Sequence, residues 1–259
     1  MKFAQPILAA ILLQCVACTP LLYKQLTPEE AQRLASWTLE DKEPMWQISG
    51  QYEGDIILEP GQLNGLTDKK KRWRNREIPY ELSSDFTTSE KQFINNSLKK
   101  EYAKTCITVR PRRSTDSDYV YVTGKNTGCW SKVGRVKGRQ ELNLQRNGCL
   151  WHGTIVHEFL HAAGFHHQQS DSDRDKWVKI IKENIQKGKE RNFKKYKASV
   201  VSSFGERYDY GSIMHYNKYA FSKNGLATIV PHDPKAVIGQ RNGLSATDIA
   251  KLNKMYGCS

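Results

Sequence analysis

The sequence lacks a long hydrophobic run beyond its first twenty residues. A helix needs about 18 or more consecutive apolar residues to cross a bilayer, and no later stretch approaches that length. We therefore expect no transmembrane anchor. Residues 1–18 place Lys2 before an apolar segment at residues 7–16, followed by small residues, which is typical of a secretory signal peptide. The alternatives are a buried N-terminal helix or a lipid-modified bacterial cysteine.

After residue 63, acidic residues are few relative to basic residues. Residues 1–63 hold only four Lys/Arg but eight Asp/Glu, out of 40 and 27 in the whole chain. The basic body attracts polyanions such as acidic proteins, glycosaminoglycans and anionic surfaces. An acidic leader beside it suits a segment that docks by charge. The alternative for the basic body is a generally soluble cationic protein without a polyanionic partner. No segment resembles a base-reading motif, so we expect no nucleic-acid partner.

No C-x-x-C pair occurs after residue 18, which disfavours a zinc–cysteine site. Four cysteines remain in the body, namely Cys106, Cys129, Cys149 and Cys258. An even number in a secreted chain indicates two disulfides, for which three connectivities are possible. Free buried thiols are the alternative.

Residues 154–175 carry the most informative pattern in the chain. His157, Glu158, His161, Gly164 and His167 form the motif H-E-x-x-H-x-x-G-x-x-H. Two histidines four residues apart share one helix face and can bind one Zn²⁺. The glutamate beside the first histidine can take a proton from the attacking water and pass it to a leaving amine. A glycine with positive φ ends the helix and lets the last histidine approach the same metal.

A second element follows at residues 212–216, with the sequence S-I-M-H-Y. The extended zinc motif followed by a Met-turn is typical of metzincins. Histidines on an amphipathic helix can also be ordinary buried residues, but the third histidine and the Met-turn together disfavour that alternative.

These residues, with Phe165 and the D-R-D sequence at 173–175, resemble the astacin family of zinc endopeptidases. The resemblance covers nearly everything after about Asn64. It implies that the three histidines of the motif bind one Zn²⁺ per chain and that Glu158 is the general base. It implies that Met214 forms a hydrophobic floor beneath the metal. It also implies that Tyr216 is a fifth ligand at rest, which swings away to stabilise the oxyanion. A core tyrosine is the alternative for Tyr216.

Two positions depart from the family pattern. Gln168 stands where the family usually has a Glu that anchors the trimmed N-terminus, and Asp171 stands where an Arg is expected. Neither position is expected to touch the metal directly, so the catalytic prediction is unchanged.

Residues 19–63 are predicted to be a pro-segment that opens with a helix over residues 27–39. Tyr52, Glu53, Gly54 and Asp55 resemble the inhibitory F-E-G-D sequence of the family. We expect Asp55 to bind zinc and to keep the enzyme silent as a zymogen switch. An ordinary Gly-Asp turn is the alternative. The mature start is expected near Asn64, or within the basic run at residues 69–72, and implies an activating protease.

The resemblance implies three further features. The disulfides are expected to be Cys106–Cys258 and Cys129–Cys149. Arg241 is expected to line the pocket after the scissile bond and to favour acidic side chains by charge-assisted hydrogen bonds, unless it is a surface arginine. Separately, Asn95 begins an N-x-S sequon that can carry a glycan in a eukaryotic cell.

Local patterns predict strands at residues 77–82, 107–110, 119–123, 133–136 and 141–144, and helices at 88–104 and 245–256. A further helix is predicted to begin near Trp177, with an apolar stripe at Val178, Ile181 and Ile185. The later part of the chain is predicted to be irregular.

Together these features predict an α+β, metzincin-like catalytic domain at residues 64–259 with two subdomains. We expect a twisted, mostly antiparallel sheet with two long helices above an irregular C-terminal half. The predicted function is that of a secreted, extracellular zinc endopeptidase made as a zymogen, acting as a freely diffusing monomer on protein or peptide substrates. The alternative is a non-catalytic secreted binder of acidic matrix or surface polymers.

Overall fold

A computed structural model describes residues 25–41, 43–58 and 68–258. The predicted signal peptide at residues 1–18 and the predicted mature start near Asn64 lie outside these residues. The helices are α1 Pro28–Ala35, α2 Met45–Ile48, α3 Thr88–Tyr102, α4 Arg146–Cys149, α5 His152–Ala163 and α6 Ala246–Met255. The strands are β1 Ile56–Ile57, β2 Glu77–Leu82, β3 Thr108–Pro111, β4 Tyr119–Thr123, β5 Cys129–Lys132, β6 Arg139–Leu144, β7 Val178–Ile180 and β8 Ile229–Pro231.

Within the described residues, one main sheet has six strands in the order β1-β5-β6-β4-β2-β3. Its buried residues include Ile78, Val120, Val122 and Leu142. Helix α5 packs against both β5 and α3. The sheet therefore supports the helix that bears the zinc motif, and the α+β class is confirmed.

The prediction of a mostly antiparallel sheet is wrong. Strand β2 is parallel to both β3 and β4, and β4 is parallel to β6. Strand β1 is also parallel to β5, and the antiparallel pairing in this sheet is that of β5 with β6. The physical reason is the connection, because α3 lies between β2 and β3 and a helical crossover returns the chain in the same direction.

Helix α3 begins where its sequence predicts. Thr87 and Glu90 form a reciprocal capping box, with Glu90 N donating to Thr87 Oγ1 at 3.3 Å and Thr87 N donating to Glu90 Oε2 at 2.7 Å. Helix α6 begins in the same way, with Asp248 N donating to the Ser245 hydroxyl at 2.9 Å. Such caps satisfy amide groups that the helix itself leaves without partners.

The predicted helix near Trp177 is wrong. Val178–Ile180 is instead strand β7, which pairs antiparallel with β8, and 3-10 turns follow at Lys182–Asn184 and Glu190–Phe193. A short apolar pattern does not distinguish a helix from a strand. Here Val and Ile side chains suit a strand, and the partner strand at Ile229–Pro231 decides the outcome.

The predicted strand at residues 133–136 is also wrong, because the strand ends at Lys132. Gly134 has a φ of +72°, and its amide donates to the His161 carbonyl oxygen at 2.9 Å. That conformation suits glycine and leaves the extended path. The remaining predicted strands match β2, β3, β4 and β6 to within a few residues.

Two disulfides join Cys106 to Cys258 and Cys129 to Cys149, the pairs that the family resemblance implies. The first spans 152 residues and attaches the end of the chain to the segment after α3. No helix within the described residues is long and apolar enough to cross a membrane.

The N-terminal segment, residues 25–41 and 43–58, packs on the rest of the described chain. Helix α1 has a capping box at Thr27 and ends at Ala35, earlier than predicted. Strand β1 pairs with β5, Ile56 lying opposite Ser131. Trp46 and Ile57 are buried, so the segment contributes to the core.

Candidate active site

Helix α5 presents two histidines to the centre of the molecule. His157 Nδ1 donates to the Ile213 carbonyl oxygen at 3.0 Å, and His161 Nδ1 donates to the Phe165 carbonyl oxygen at 2.6 Å. A carbonyl oxygen only accepts, so each Nδ1 carries a proton and each Nε2 is the ring nitrogen left for another partner. Both side chains are buried. The helix thus orients two candidate ligand nitrogens toward one point.

Gly164 turns the chain toward the third histidine. It has a φ of +122°, and its amide donates to the His161 carbonyl oxygen at 2.8 Å as the helix ends. The chain then brings His167 back to the other two histidines, with ring centroids 4.7 Å from His161 and 5.3 Å from His157. The predicted role of the glycine agrees with this geometry.

Asp55 of the N-terminal segment completes the cluster. Its Oδ2 lies 3.1 Å from His157 Nε2, and its Oδ1 lies 3.3 Å from the Nε2 atoms of both His161 and His167. The four ligand atoms lie within 4.8 Å of one another, and all four residues are buried. Three imidazole nitrogens and one carboxylate oxygen form a donor set typical of tetrahedral zinc.

The orphaned atoms of the cluster fit a metal ion. Asp55 Oδ1, His161 Nε2 and His167 Nε2 are buried and have no hydrogen-bond partner among the described residues. Buried polar atoms in such a position are costly unless they bind something. Burial lowers the pKa of His167, but the carboxylates of Asp55 and Glu53 outweigh this effect and raise it to about 9. The unpartnered donor atoms and their mutual distances fit one zinc ion.

Glu158 lies on α5 between the two helical ligands. It is fully buried, and neither carboxylate oxygen has a hydrogen-bond partner within the described part of the chain. Burial and the negative charge of Asp55 raise the pKa of Glu158 well above its usual range, while Arg241 acts in the opposite direction. A carboxylate with no partner beside the candidate metal is available for proton transfer.

Helix α6 holds the Met-turn against the histidines. Asp248 accepts from the Ser212 hydroxyl at 2.6 Å and from the Ile213 amide at 2.9 Å. The Ile213 carbonyl oxygen in turn accepts from His157, and Met214 is buried. The sequence analysis missed Asp248, because the S-x-x-D pattern at Ser245 predicts only a helix cap.

Tyr216 is fully buried beside the cluster, with its ring 4.7 Å from that of His167. Its hydroxyl donates to the backbone oxygen of Glu53 at 2.5 Å. The N-terminal segment therefore binds this tyrosine as well as the histidines. Its ring also contacts Trp46 of the same segment, at 4.9 Å between centroids.

Gln168, one of the two positions that depart from the family pattern, has partners within the chain. Gln168 Oε1 accepts from Lys251 Nζ at 2.8 Å, and both residues are buried. The main-chain N–H of Gln168 donates to the Met214 carbonyl oxygen at 3.0 Å. A buried lysine of α6 thus binds the side chain of Gln168, a contact that the sequence did not predict.

Arg241 lies within the site, beside the N-terminal segment. Its Nη1 donates to the carbonyl oxygens of His215 at 3.1 Å and Gln240 at 2.8 Å. The guanidinium carbon lies 5.8 Å from the centre of the Trp46 ring, within the range of a cation–π contact.

Asn95, the predicted glycosylation residue, lies in α3 and is half-buried. Its Oδ1 accepts from the Tyr80 hydroxyl at 2.6 Å.

The comparison with known families agrees with this geometry. The family model described as Astacin, a family of peptidases, matches residues 65–257. The chain belongs to the astacin family.

Its relatives in this family include nematode enzymes. The chain is 38% identical to zinc metalloproteinase nas-7 of Caenorhabditis elegans, covering 89% of this chain and 60% of the relative. It is 39% identical to zinc metalloproteinase nas-8 of Steinernema carpocapsae, covering 89% of this chain and 58% of the relative. The chain therefore spans about 60% of the length of these curated relatives.

A solved structure of the family matches the fold. High choriolytic enzyme 1, a hatching-enzyme zinc protease from the medaka fish Oryzias latipes, is 41% identical, with a TM-score of 0.67. The match covers 73% of this chain and 94% of that chain. The resemblance inferred from the zinc motif and the Met-turn is thus confirmed.

Proposed function

We propose that the chain is a secreted zinc endopeptidase that is made as an inactive zymogen. The observation that carries the proposal is the position of Asp55, whose carboxylate contacts the Nε2 atoms of three histidines at 3.1–3.3 Å. A zinc peptidase with a carboxylate of its own N-terminal segment at the metal site has both a catalytic centre and a means of silencing it. The disulfides agree with an oxidising, extracellular environment.

In this proposal His157, His161 and His167 hold one zinc ion. The bound metal supplies a Lewis acid that polarises a peptide carbonyl and makes water nucleophilic near neutral pH. Glu158 takes the proton from the attacking water and delivers it to the leaving amine nitrogen. Its burial and its lack of hydrogen-bond partners among the described residues support this role.

Tyr216 is proposed to stabilise the oxyanion that develops on the substrate carbonyl. In the zymogen its hydroxyl donates to the Glu53 carbonyl oxygen at 2.5 Å. This contact supports the role, because the hydroxyl reaches a peptide oxygen next to the histidines. Release of the segment frees the hydroxyl to donate to a substrate instead. Met214 is proposed to form the apolar floor of the site.

Activation is proposed to occur by cleavage near Asn64 and not within residues 69–72. The main chain of that basic run is occupied: Arg135 donates from its amide to Lys71, from Nη2 to Lys70 and from Nε to Arg72, at 2.6–3.0 Å. Proteases cut most readily where the backbone is exposed and free of such bonds. The run therefore suits an attachment point better than a cleavage point.

Arg241 is proposed to select the substrate residue after the scissile bond. Its guanidinium is held by two carbonyl oxygens and faces the Trp46 ring of the segment. Once the segment has left, an acidic substrate side chain can form charge-assisted hydrogen bonds with it. We therefore propose protein substrates with Asp or Glu at that position.

Cleavage of an unfolded protein substrate tests the proposal. The purified chain is assayed before and after cleavage near Asn64 by a specific protease whose recognition sequence has been inserted there, with and without a zinc chelator. Activity should appear after trimming, disappear with the chelator and return with added zinc. The variant Asp55→Ala should show activity without trimming. Trimmed, zinc-loaded protein that cleaves nothing would contradict the peptidase and favour a secreted binder of acidic polymers.

A further inference from the structure

The three histidines differ in where their second ring nitrogen finds its partner. The Nδ1 atoms of His157 and His161 donate to backbone carbonyl oxygens of the catalytic domain, those of Ile213 and Phe165. His167 Nδ1 instead contacts Glu53 Oε2 of the N-terminal segment at 2.8 Å. Two ligands are therefore oriented by the catalytic domain itself, and the third by a residue of the segment that leaves on the proposed activation.

Glu53 is built firmly into this position. It is fully buried, and its second carboxylate oxygen accepts from the Ser170 hydroxyl at 2.9 Å. Its amide donates to Asn192 Oδ1 at 3.2 Å, and its carbonyl oxygen accepts from Tyr216. The φ of Glu53 is +49°, which is uncommon for a residue with a side chain. Such a conformation persists only when surrounding contacts hold it.

We propose that Glu53 is a positioning residue for the zinc ligand His167, so that the zymogen holds zinc more tightly than Asp55 alone would achieve. A carboxylate that accepts from Nδ1 fixes the ring orientation and the tautomer. It also raises the basicity of Nε2, which makes this nitrogen a stronger metal ligand. The segment therefore acts twice on the metal site. Asp55 acts at the ligand atoms, and Glu53 acts through the far side of one histidine ring.

This role predicts a loss of zinc affinity on activation. Removal of a partner behind a ligating histidine weakens metal binding by about 10–100-fold. Glu53 and Asp55 leave together when the segment is removed, and the trimmed enzyme should lose zinc to a chelator more readily than the zymogen. The inference rests on the proposed zymogen, but zinc binding can be measured whether or not the chain cleaves peptides.

Zinc affinity of the intact zymogen tests the proposal. The variants Glu53→Ala and Glu53→Gln are made in a Glu158→Ala background, which prevents self-cleavage, and zinc is titrated against a chromophoric chelator. Glu53→Ala should weaken zinc binding by about 10–100-fold. Glu53→Gln should weaken it less, because the amide oxygen still accepts from Nδ1 but carries no charge. The absorption spectrum of the cobalt-substituted zymogen should change in both variants.

Two controls separate this role from a general loosening of the segment. Glu43 also joins the segment to the catalytic domain, accepting from Gln186 Nε2 at 2.7 Å, so Glu43→Ala should leave zinc affinity unchanged. After trimming beyond residue 58, the Glu53 variants have the same sequence as their parent and must bind zinc equally. Unchanged affinity in the Glu53→Ala zymogen, or an equal loss in Glu43→Ala, would overturn the proposal.

Discussion

The two halves of residues 77–258 contribute to the same candidate metal site by different means. The upper half, residues 77–163, is regular: a sheet and two long helices place His157 and His161 four residues apart on one helix face. The lower half, residues 164–258, has one small two-stranded sheet, short turns and α6. It places the Met-turn through individual hydrogen bonds: the Ile213 amide donates to Asp248, and the Gln168 main-chain N–H donates to the Met214 carbonyl oxygen. Regular structure fixes ligands through its repeat, whereas irregular structure needs a specific partner for each.

The largest expected effect concerns the upper half. Glu158→Ala should reduce turnover of the trimmed enzyme by at least about 10²–10⁴-fold, since it removes the proposed general base. Helix α5 and the histidines remain, so zinc content measured by atomic absorption should stay at one per chain. The exposed Glu183→Ala serves as the matched control and should keep full activity. Near-normal turnover in Glu158→Ala would contradict the proposed mechanism.

The next effect concerns the disulfide that attaches the lower half to the upper. Replacing Cys106 and Cys258 by serine should lower the free energy of unfolding by about 2–5 kcal/mol. The loop spans 152 residues, against 20 for Cys129–Cys149. A longer loop gains more unfolded-state entropy when it is opened, so the second pair should cost about 2 kcal/mol less. Urea unfolding of both double variants checks the order, and the reverse order would contradict this explanation.

Glu101 connects the halves by a buried carboxylate. It accepts from the Leu244 amide at 3.0 Å, from Lys104 Nζ at 2.8 Å and from His152 Nε2 at 3.0 Å. Glu101→Gln should destabilise the fold by about 1.5–3 kcal/mol at neutral pH, the typical contribution of hydrogen bonds to a charged group. Thermal unfolding against pH measures it.

The pH dependence of the Glu101 effect has a defined sign. Burial raises the pKa of Glu101, but its hydrogen bonds with Lys104, Leu244 and His152 outweigh burial and leave the pKa below the usual value. The stabilisation is therefore present above the unfolded pKa of about 4.3 and is lost as the pH falls through the lower folded value. The gap between the parent and Glu101→Gln should narrow in acid. A gap that widens in acid would contradict the assignment.

Asp248 tests the specific bonds of the lower half. Asp248→Ala should destabilise the fold by about 1–3 kcal/mol, because it leaves the buried Ser212 hydroxyl and Ile213 amide without their acceptor. It should also weaken zinc binding, since the Ile213 carbonyl oxygen orients His157. Asp248→Asn keeps one acceptor oxygen, so its stability and zinc affinity should lie between those of the parent and of Asp248→Ala. Normal zinc affinity in Asp248→Ala would show that the Met-turn holds its position without α6.

Gly164 lies at the boundary of the halves and has the smallest expected effect. Its φ of +122° is unfavourable for residues with a side chain, so Gly164→Ala should destabilise the fold by about 1–2 kcal/mol. Gly188 also has a positive φ, of +84°, but lies in an exposed turn with open space around it. Gly188→Ala should therefore have a similar cost in stability but leave zinc affinity unchanged, whereas Gly164→Ala should lower it.

Sequence prediction succeeded where local signals agree and failed where distant segments decide the structure. In the upper half, the strands at residues 77–82 and 119–123 and the helix from Thr88 were predicted correctly, because propensity, capping and periodicity agree there. The failures were the strand directions, which depend on connections, the strand at residues 133–136, and the segment from Trp177. Gly134 takes a positive φ and leaves the extended path in the first of these segments, and the apolar stripe of the second suited either a helix or a strand. Residue pairs such as Asp248–Ser212 and Lys251–Gln168 could not be predicted, since they join distant parts of the chain.

The sequence by itself determined the candidate ligand set and the metal chemistry that this set suits. The spacing of His157, Glu158 and His161 places both histidines on one face of a helix. A glycine after them can take the positive φ that ends the helix. The resemblance at residues 52–55 already predicted that Asp55 lies at the metal, 102 residues before His157. Only the tertiary structure decided that Glu53 stands behind His167. Such contacts depend on how separate segments pack, and no local rule of spacing or propensity encodes them.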